Sequence, residues 1–301
     1  MSVFSVGDLC LDIDVFVGEE LGGQRRIESL EVVPGGSAGN VAVACYSVGV
    51  RAGLLAPVCG DLAGRILVEE LRKKCPGLKL FLREGAGSRM SCIVINIIGS
   101  RGIRKVYYSD GPQLRDLDEA VEIARTFNAV HLSGYSLEIT PRGSVAGFLR
   151  KLSAESIVRS FDLFPRAFIF RDEILGEIAR NTDVMLGNEA EWRKLLNTNS
   201  TKELVEALRR VPAKIKVVKR GGKGALAVIE DRVLKEKALK VKPVKLKGAG
   251  DVFAGVLLSM LTRDYGLEMA LSVATRTASI YVTGASVRDA YKKALESTEK
   301  A

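Results

Sequence analysis

Apolar positions along the chain come mostly in short runs, and where they spread out they do so at helical spacing. Residues 2–9 read as a buried first strand, closed by a polar stretch that begins at Asp12. Residues 15–34 mix short apolar pieces with Gly22-Gly23, Gln24 and Arg25-Arg26, the pattern of an extended excursion from the main body. Small and apolar residues lie nearly all round 39–50, which predicts a helix packed closely on a sheet. A strand over 54–58 and an amphipathic helix over 61–74 follow. Two β-rich runs, 91–98 and 104–108, flank Gly99-Ser100-Arg101-Gly102, a hairpin signal. Together with the excursion they predict a small sheet that stands off the main domain, a lid able to exclude water.

From residue 117 the alternation becomes regular. Helices are predicted over 117–127, 141–152, 171–181, 190–196 and 202–210, with strands at 129–132, 156–161, 184–186 and 215–219. A hairpin over 225–241 and helices over 251–263, 267–282 and 286–295 complete the chain. Repeated strand and helix predicts an α/β fold with a mostly parallel central sheet covered on both faces. The 301 residues suffice for one large domain or for a main domain with an appendage, and 47% hydrophobic with 27% charged residues place the chain in the globular class. Aromatics are only 6%, so the core must rest on aliphatic side chains.

The net charge of +9 raises nucleic acid as a partner. The basic residues are spread along the chain, however, and the one dense run, 235–247, carries no interleaved aromatics. No nucleic-acid partner is expected; the charge suits a solvated surface or anionic small molecules. Five cysteines without a C-x-x-C spacing, beside a single histidine, disfavour zinc. No basic leader precedes a hydrophobic block and no apolar run reaches membrane length, so no membrane association is expected. These features predict a cytoplasmic protein with free, mostly buried thiols.

The sharpest candidate chemistry is Lys247-Gly248-Ala249-Gly250-Asp251 at the start of a helix. Its small residues leave backbone amides free to face an anion. Asp251 is then either the helix cap or a base that takes a proton from an attacking hydroxyl. The loop lacks the Lys-Ser/Thr end of a Walker A sequence and the spacing of a dinucleotide fingerprint. Pro34-Gly35-Gly36-Ser37-Ala38-Gly39-Asn40 also opens a helix, and Asn40 can donate to and accept from a hydroxyl. Asp12, after the first strand, is placed as a clamp on paired hydroxyls. Asn188 and Glu191 read as a capping box or as organisers of magnesium-bound water and phosphate. Lys219-Arg220-Gly221-Gly222-Lys223-Gly224 ends a strand either as a simple turn or as a charged nucleotide edge.

On Gly35-Gly36-Ser37-Ala38-Gly39-Asn40, Gly248-Ala249-Gly250-Asp251 and the Asn188/Glu191 pair, the chain resembles the ribokinase-like (PfkB) carbohydrate kinases over its whole length. The resemblance implies one kinase domain over 1–301, with lid segments at about 12–34 and 89–110 that are often used for dimer contacts. It implies transfer of the γ-phosphoryl group of ATP, with Mg2+, to a hydroxyl of a small sugar or polyol. A nucleoside kinase or a non-catalytic sugar sensor is the alternative. By the same likeness Asp251 is the base, and Gly248, Ala249 and Gly250 form the anion hole. Asn188, Glu191, Lys219, Gly221 and Gly224 attend the nucleotide, Glu191 reaching the metal through water, and Asp12, Gly35, Gly36 and Asn40 hold the substrate. Phe161-Asp162 with Arg166 resembles a stretch that supplies an arginine near the phosphates in some relatives. One departure is Lys245-Leu246-Lys247, where many relatives carry Asp-Thr-Thr; Lys247 is expected to neutralise triphosphate or an acidic substrate. Tyr107-Tyr108 followed by Ser109-Asp110, without the arginine expected there, weighs against a ketosugar acid.

Overall fold

The structure, a computed structural model, describes residues 1–21, 23–99 and 104–299. Gly22 and residues 100–103 of the expected hairpin turn lie outside the described residues. The chain opens with β1 (Ser2–Val6), β2 (Cys10–Leu21), β3 (Gln24–Gly35), α1 (Ser37–Ser47), β4 (Arg51–Val58), α2 (Leu62–Lys74) and β5 (Lys79–Glu84). There follow β6 (Cys92–Gly99), β7 (Arg104–Tyr108), α3 (Asp118–Ala124), β8 (Ala129–Ser133), α4 (Ser136–Ile139), α5 (Ser144–Lys151) and β9 (Val158–Asp162). Then come α6 (Arg171–Glu173), β10 (Val184–Asn188), α7 (Glu189–Leu196), α8 (Thr201–Arg209), β11 (Ile215–Lys219), β12 (Ala225–Ile229) and β13 (Arg232–Glu236). The chain closes with α9 (Ala249–Leu261), α10 (Leu267–Tyr281) and α11 (Val287–Glu299).

Nine strands form the main sheet in the order β13-β12-β11-β10-β9-β8-β1-β4-β5, parallel except where β12 meets β11 and β13. Its strands are apolar on both faces because each face carries helices. Val3 and Val217 point into the core built with α1, α9 and α10. Their neighbours Phe4 and Val218 point to the opposite core, under α5, α7 and α8. The second sheet, β3-β2-β6-β7, is made from the two segments expected to form a lid and packs against α2. Among the described residues no helix is long and apolar enough to cross a membrane.

The small residues of α1 let α9 lie directly on it. A Cβ on Gly255 would fall 2.7 Å from the Ala44 Cβ and 3.0 Å from the Val41 carbonyl oxygen. This contact brings the two helix N-termini together.

Several expectations are corrected. The predicted helix over 171–181 is present at 171–180, though not as regular α-helix: it follows a tight turn at Ala167–Phe170, begins as the single turn α6 and widens at Ile174–Ile178, where the Ala179 N–H reaches back to the Ile174 carbonyl. Gly176 sits inside that wide turn, where a glycine holds α-helix poorly. The expected hairpin over 225–241 ends at Glu236, and β5 was not anticipated. Asp12 does not follow the first strand's carboxyl end; it lies within β2, and Asp8 occupies that end. Finally, not all cysteines are free. Strands β2 and β6 run parallel with Cys10 opposite Cys92, and the two form a disulfide; 82 residues of separation hid the pairing. Cys45, Cys59 and Cys75 remain buried thiols.

Two outcomes follow. Gly255→Val should lower stability by about 1–3 kcal/mol through overpacking, read as the denaturant midpoint; an unchanged midpoint would mean α1 and α9 do not touch there. Thiol titration of denatured, unreduced protein should find Cys45, Cys59 and Cys75 alone, with Cys10 and Cys92 reacting only after reduction.

Candidate active site

The C-terminal ends of β1, β9, β10 and β11 and the N-termini of α1 and α9 border a cleft of about 1520 Å³, roofed on one side by the second sheet. The α9 loop supplies its floor. Gly248 is the N-cap of α9 and holds φ at 76°, a left-handed conformation that favours glycine. With no side chain at the cap, the amides of the first turn are left without a side-chain acceptor and suit an anion.

Asp251 therefore is not the cap. Its Oδ1 accepts from Ser37 Oγ at 2.9 Å and its Oδ2 from Asn40 Nδ2 at 2.8 Å, both on the first turns of α1. Burial pushes its carboxyl up to about 7, against the opposing pull of Lys219 and Asn40. A carboxylate poised near neutrality and fixed by two donors can take a proton from a hydroxyl.

Around it stands a compact charge cluster. Lys219, at the end of β11, donates to Asp162 Oδ2 at 2.5 Å. Burial alone would lower its ammonium, but Asp162, Glu191 and Asp251 outweigh that and hold it above its usual range. A Cβ on Gly250 would lie 3.5 Å from Lys219 Nζ, so the ammonium reaches the α9 loop. Asn188 and Glu191 do form a capping box, with Glu191 N donating to Asn188 Oδ1 at 2.8 Å and Asn188 N to Glu191 Oε2 at 2.7 Å. Glu191 also faces the cluster, and burial with the charge of Asp162 raises it to about 7. Gly221 and Gly224 form the turn after β11, both with positive φ, and line the cleft.

At the other helix start, Gly36 turns the chain into α1, and any Cβ there would strike the Asp8 carbonyl oxygen at 2.6 Å. Asp8 went unrecognised in the sequence. It caps α1 from another element, accepting from Ser37 N at 2.7 Å, from Ala38 N at 3.3 Å and from Ser133 Oγ at 2.6 Å. The signal was present in a glycine cap that leaves α1 without an acceptor of its own. Ser37 was likewise overlooked, although it lies inside the glycine-rich element. Gly35 packs against the carboxyl of Asp12, which is 4% exposed and lies outside the cleft lining. Lys247 Nζ sits between Asp12 Oδ2 and Asp14 Oδ1, 2.9 Å from each. Burial raises the Asp12 carboxyl against the pull of Lys247. Lys245 instead stacks over the Tyr281 ring at 3.9 Å. Arg166 pairs with Glu138 at 2.5 Å and reaches Tyr108 of the second sheet at 3.4 Å.

Among the described residues, no three His, Cys, Asp or Glu side chains are grouped to hold a metal directly. Asp162 Oδ1, however, is buried with no hydrogen-bond partner. With Glu191 and Asn188 beside it, this oxygen-only set fits Mg2+ held through water.

Parallel strands opening on two glycine-rich helix starts, with a small sheet above, define the ribokinase-like architecture. An adenosine kinase from Sinorhizobium meliloti superposes with a TM-score of 0.83 at 20% identity, covering 97% of this chain and 99% of its own. Arabidopsis thaliana ribokinase, solved with ribose and ATP, gives 0.80 at 18% identity, covering 98% of both. Residues 1–294 match the pfkB family carbohydrate kinase profile, and the chain belongs to that family. Curated relatives include 5-dehydro-2-deoxygluconokinase 2 of Bacillus cereus, 25% identical over 306 residues covering 96% of this chain and 91% of the relative. A 5-dehydro-2-deoxygluconokinase of Bacillus anthracis is 25% identical over 304 residues with the same coverage. The family is one of carbohydrate kinases, and the fold is shared with the ribokinase and the adenosine kinase just named.

The raised Asp251 carboxyl also bears on stability. Its folded value lies above the unfolded one, so ionising it costs folding free energy as pH rises from the ordinary carboxylate range toward about 7. The melting temperature of Asp251→Asn relative to the unsubstituted protein should climb across that window and level off above it. A gap that does not vary with pH would place the Asp251 carboxyl in its ordinary range.

Proposed function

We propose that this chain transfers the γ-phosphoryl group of ATP to a hydroxyl of a small sugar or polyol. The observation that carries the reading is Asp251, held by Ser37 and Asn40 at the open N-terminus of α9.

In this reading the substrate hydroxyl lies against Asp251, which accepts its proton as the hydroxyl oxygen bonds to the γ-phosphorus. The bond from that phosphorus to the β,γ-bridging oxygen breaks, and ADP leaves. The first-turn amides of α9 hold the equatorial phosphoryl oxygens, where charge is spread in the transition state. Lys219 approaches the same loop from β11 and adds positive charge beside it. Glu191, Asp162 and Asn188 would hold Mg2+ through water, and the bound ion would supply counter-charge to the phosphates. The second sheet, which roofs the cleft, keeps water from competing with the sugar hydroxyl.

The test is ADP release with Mg-ATP over pentoses, hexoses, polyols, inositols, ketosugar acids and nucleosides, run beside Asp251→Asn. At least one sugar or polyol should be turned over, and Asp251→Asn should lower kcat by about 10²–10⁴-fold while sugar binding is retained. Full activity in the variant would overturn Asp251 as the base; turnover confined to nucleosides would overturn the substrate class. A pH profile offers a separate check. Only ionised Asp251 can accept the proton, so kcat/KM should fall as pH drops through about 7. Because Glu191 titrates in the same range and the two carboxyls interact, that limb belongs to the pair. A profile flat from pH 8 to pH 5 would contradict this assignment.

A further inference from the structure

The substrate half of the cleft differs from the expectation in one respect: the carboxylate placed there as the hydroxyl clamp is covered. Asp12 has almost no exposed surface, and the side chain standing over it toward the cleft is Lys247, which is 28% exposed. A lysine ammonium has three N–H donors and no acceptor. Two of them are directed at Asp12 Oδ2 and Asp14 Oδ1, each 2.9 Å away, which leaves one for the cleft. Asn96 donates to the same Asp14 oxygen and keeps that carboxylate in place. The backbone holds too, since Tyr281 OH donates to the Lys247 carbonyl at 3.3 Å.

Charge decides what the remaining donor can select. One ammonium between two carboxylates leaves the group with a surplus of negative charge. The other cations that line the cleft, among the described residues, are Arg166, Lys219 and Arg220; Arg166 pairs with Glu138 and Lys219 with Asp162, and Arg220, just past the end of β11, shares Glu189 with Arg193. The group at Lys247 itself therefore carries no spare positive charge for a carboxylate or phosphate.

We propose that Lys247, and not Asp12, meets the substrate on this side, and that with its charge offset by Asp12 and Asp14 it recognises an uncharged oxygen of a neutral sugar or polyol in preference to a sugar acid or sugar phosphate. The inference rests on the kinase reading for its choice of ligands. It makes Lys247 a specificity residue and reverses the role its charge suggests in the sequence. The buried carboxylates position the ammonium and remove its preference for anions. Desolvating an anion beside two carboxylates is unfavourable, whereas a hydroxyl or carbonyl oxygen meets a donor already oriented.

The experiment uses matched probes: ribose, ribitol, ribonate and ribose 5-phosphate, with fructose, sorbitol, gluconate and fructose 6-phosphate. Ligand-induced shifts in melting temperature are read without ATP, and turnover is read with Mg-ATP. Neutral members should stabilise the protein most, with acids and phosphates at least about tenfold weaker. Lys247→Met should raise KM for the preferred neutral sugar by about 10- to 100-fold, the worth of one charge-assisted hydrogen bond, with kcat little changed. Asp14→Asn, which removes one offsetting charge, should narrow the gap between neutral and acidic probes. Tighter binding of acids or phosphates than of their neutral counterparts would overturn the inference, as would an unchanged KM in Lys247→Met. The two readings separate cleanly. Neutral polyols that bind but are never phosphorylated keep this inference and remove the kinase reading. Phosphorylation that favours acids does the reverse.

Discussion

Close contact between α1 and α9 is the constraint on which the site depends. Gly255 has no room for a side chain against Ala44 and Val41, and that absence lets two helix axes approach until their N-termini border one cleft. The consequence reaches Asp251 directly, because both of its donors, Ser37 and Asn40, belong to α1. Neither helix alone builds this arrangement. One brings the carboxylate and the open amides, the other brings the two groups that fix the carboxylate's direction.

That arrangement concentrates like charge. Asp162, Glu191 and Asp251 surround Lys219, and burial raises both Glu191 and Asp251 to about 7. A structure selected for stability alone would separate these groups or replace them with apolar ones. Strongly shifted carboxyls gathered in a cleft are the arrangement that functional sites favour. The buried Asp162 oxygen without a partner belongs to the same economy of groups, left unsatisfied where a hydrated cation fits.

The second sheet is tied to this centre rather than merely placed above it. Strand β2 supplies Asp12 and Asp14 to Lys247, the residue immediately before the α9 cap, and β2 is itself cross-linked to β6 through Cys10 and Cys92. These pairs join the small sheet to the loop that opens α9. Lys245-Leu246-Lys247, the departure from the family pattern, is the segment that makes this connection. Its two lysines are engaged by Tyr281 and by the β2 carboxylates.

Much of this was legible in the chain. Period and length distinguished strands buried on both faces from helices, and glycine-rich starts at Gly35-Gly36 and Gly248-Ala249-Gly250 marked where backbone amides gather, because those signals are local. Individual roles were less readable. Asp251 could be cap or base until Gly248 proved to hold the cap position. Asn188 and Glu191 are a capping box and part of the charge cluster at once, a choice that sequence spacing poses as exclusive. Asp8 caps α1 from the loop after β1, far from the helix in sequence, so spacing gives no sign of it. Cys10 and Cys92, and Lys247 with Asp12 and Asp14, meet only through pairings between segments far apart in the chain. The sequence by itself determined the class of fold, the family and the glycine-rich loops that border the cleft, since these rest on periodicity and contiguous motifs. Tertiary structure alone decided which carboxylate is buried and held by two donors, which is buried behind a lysine and which cations meet carboxylates, because charge balance and burial depend on neighbours in space.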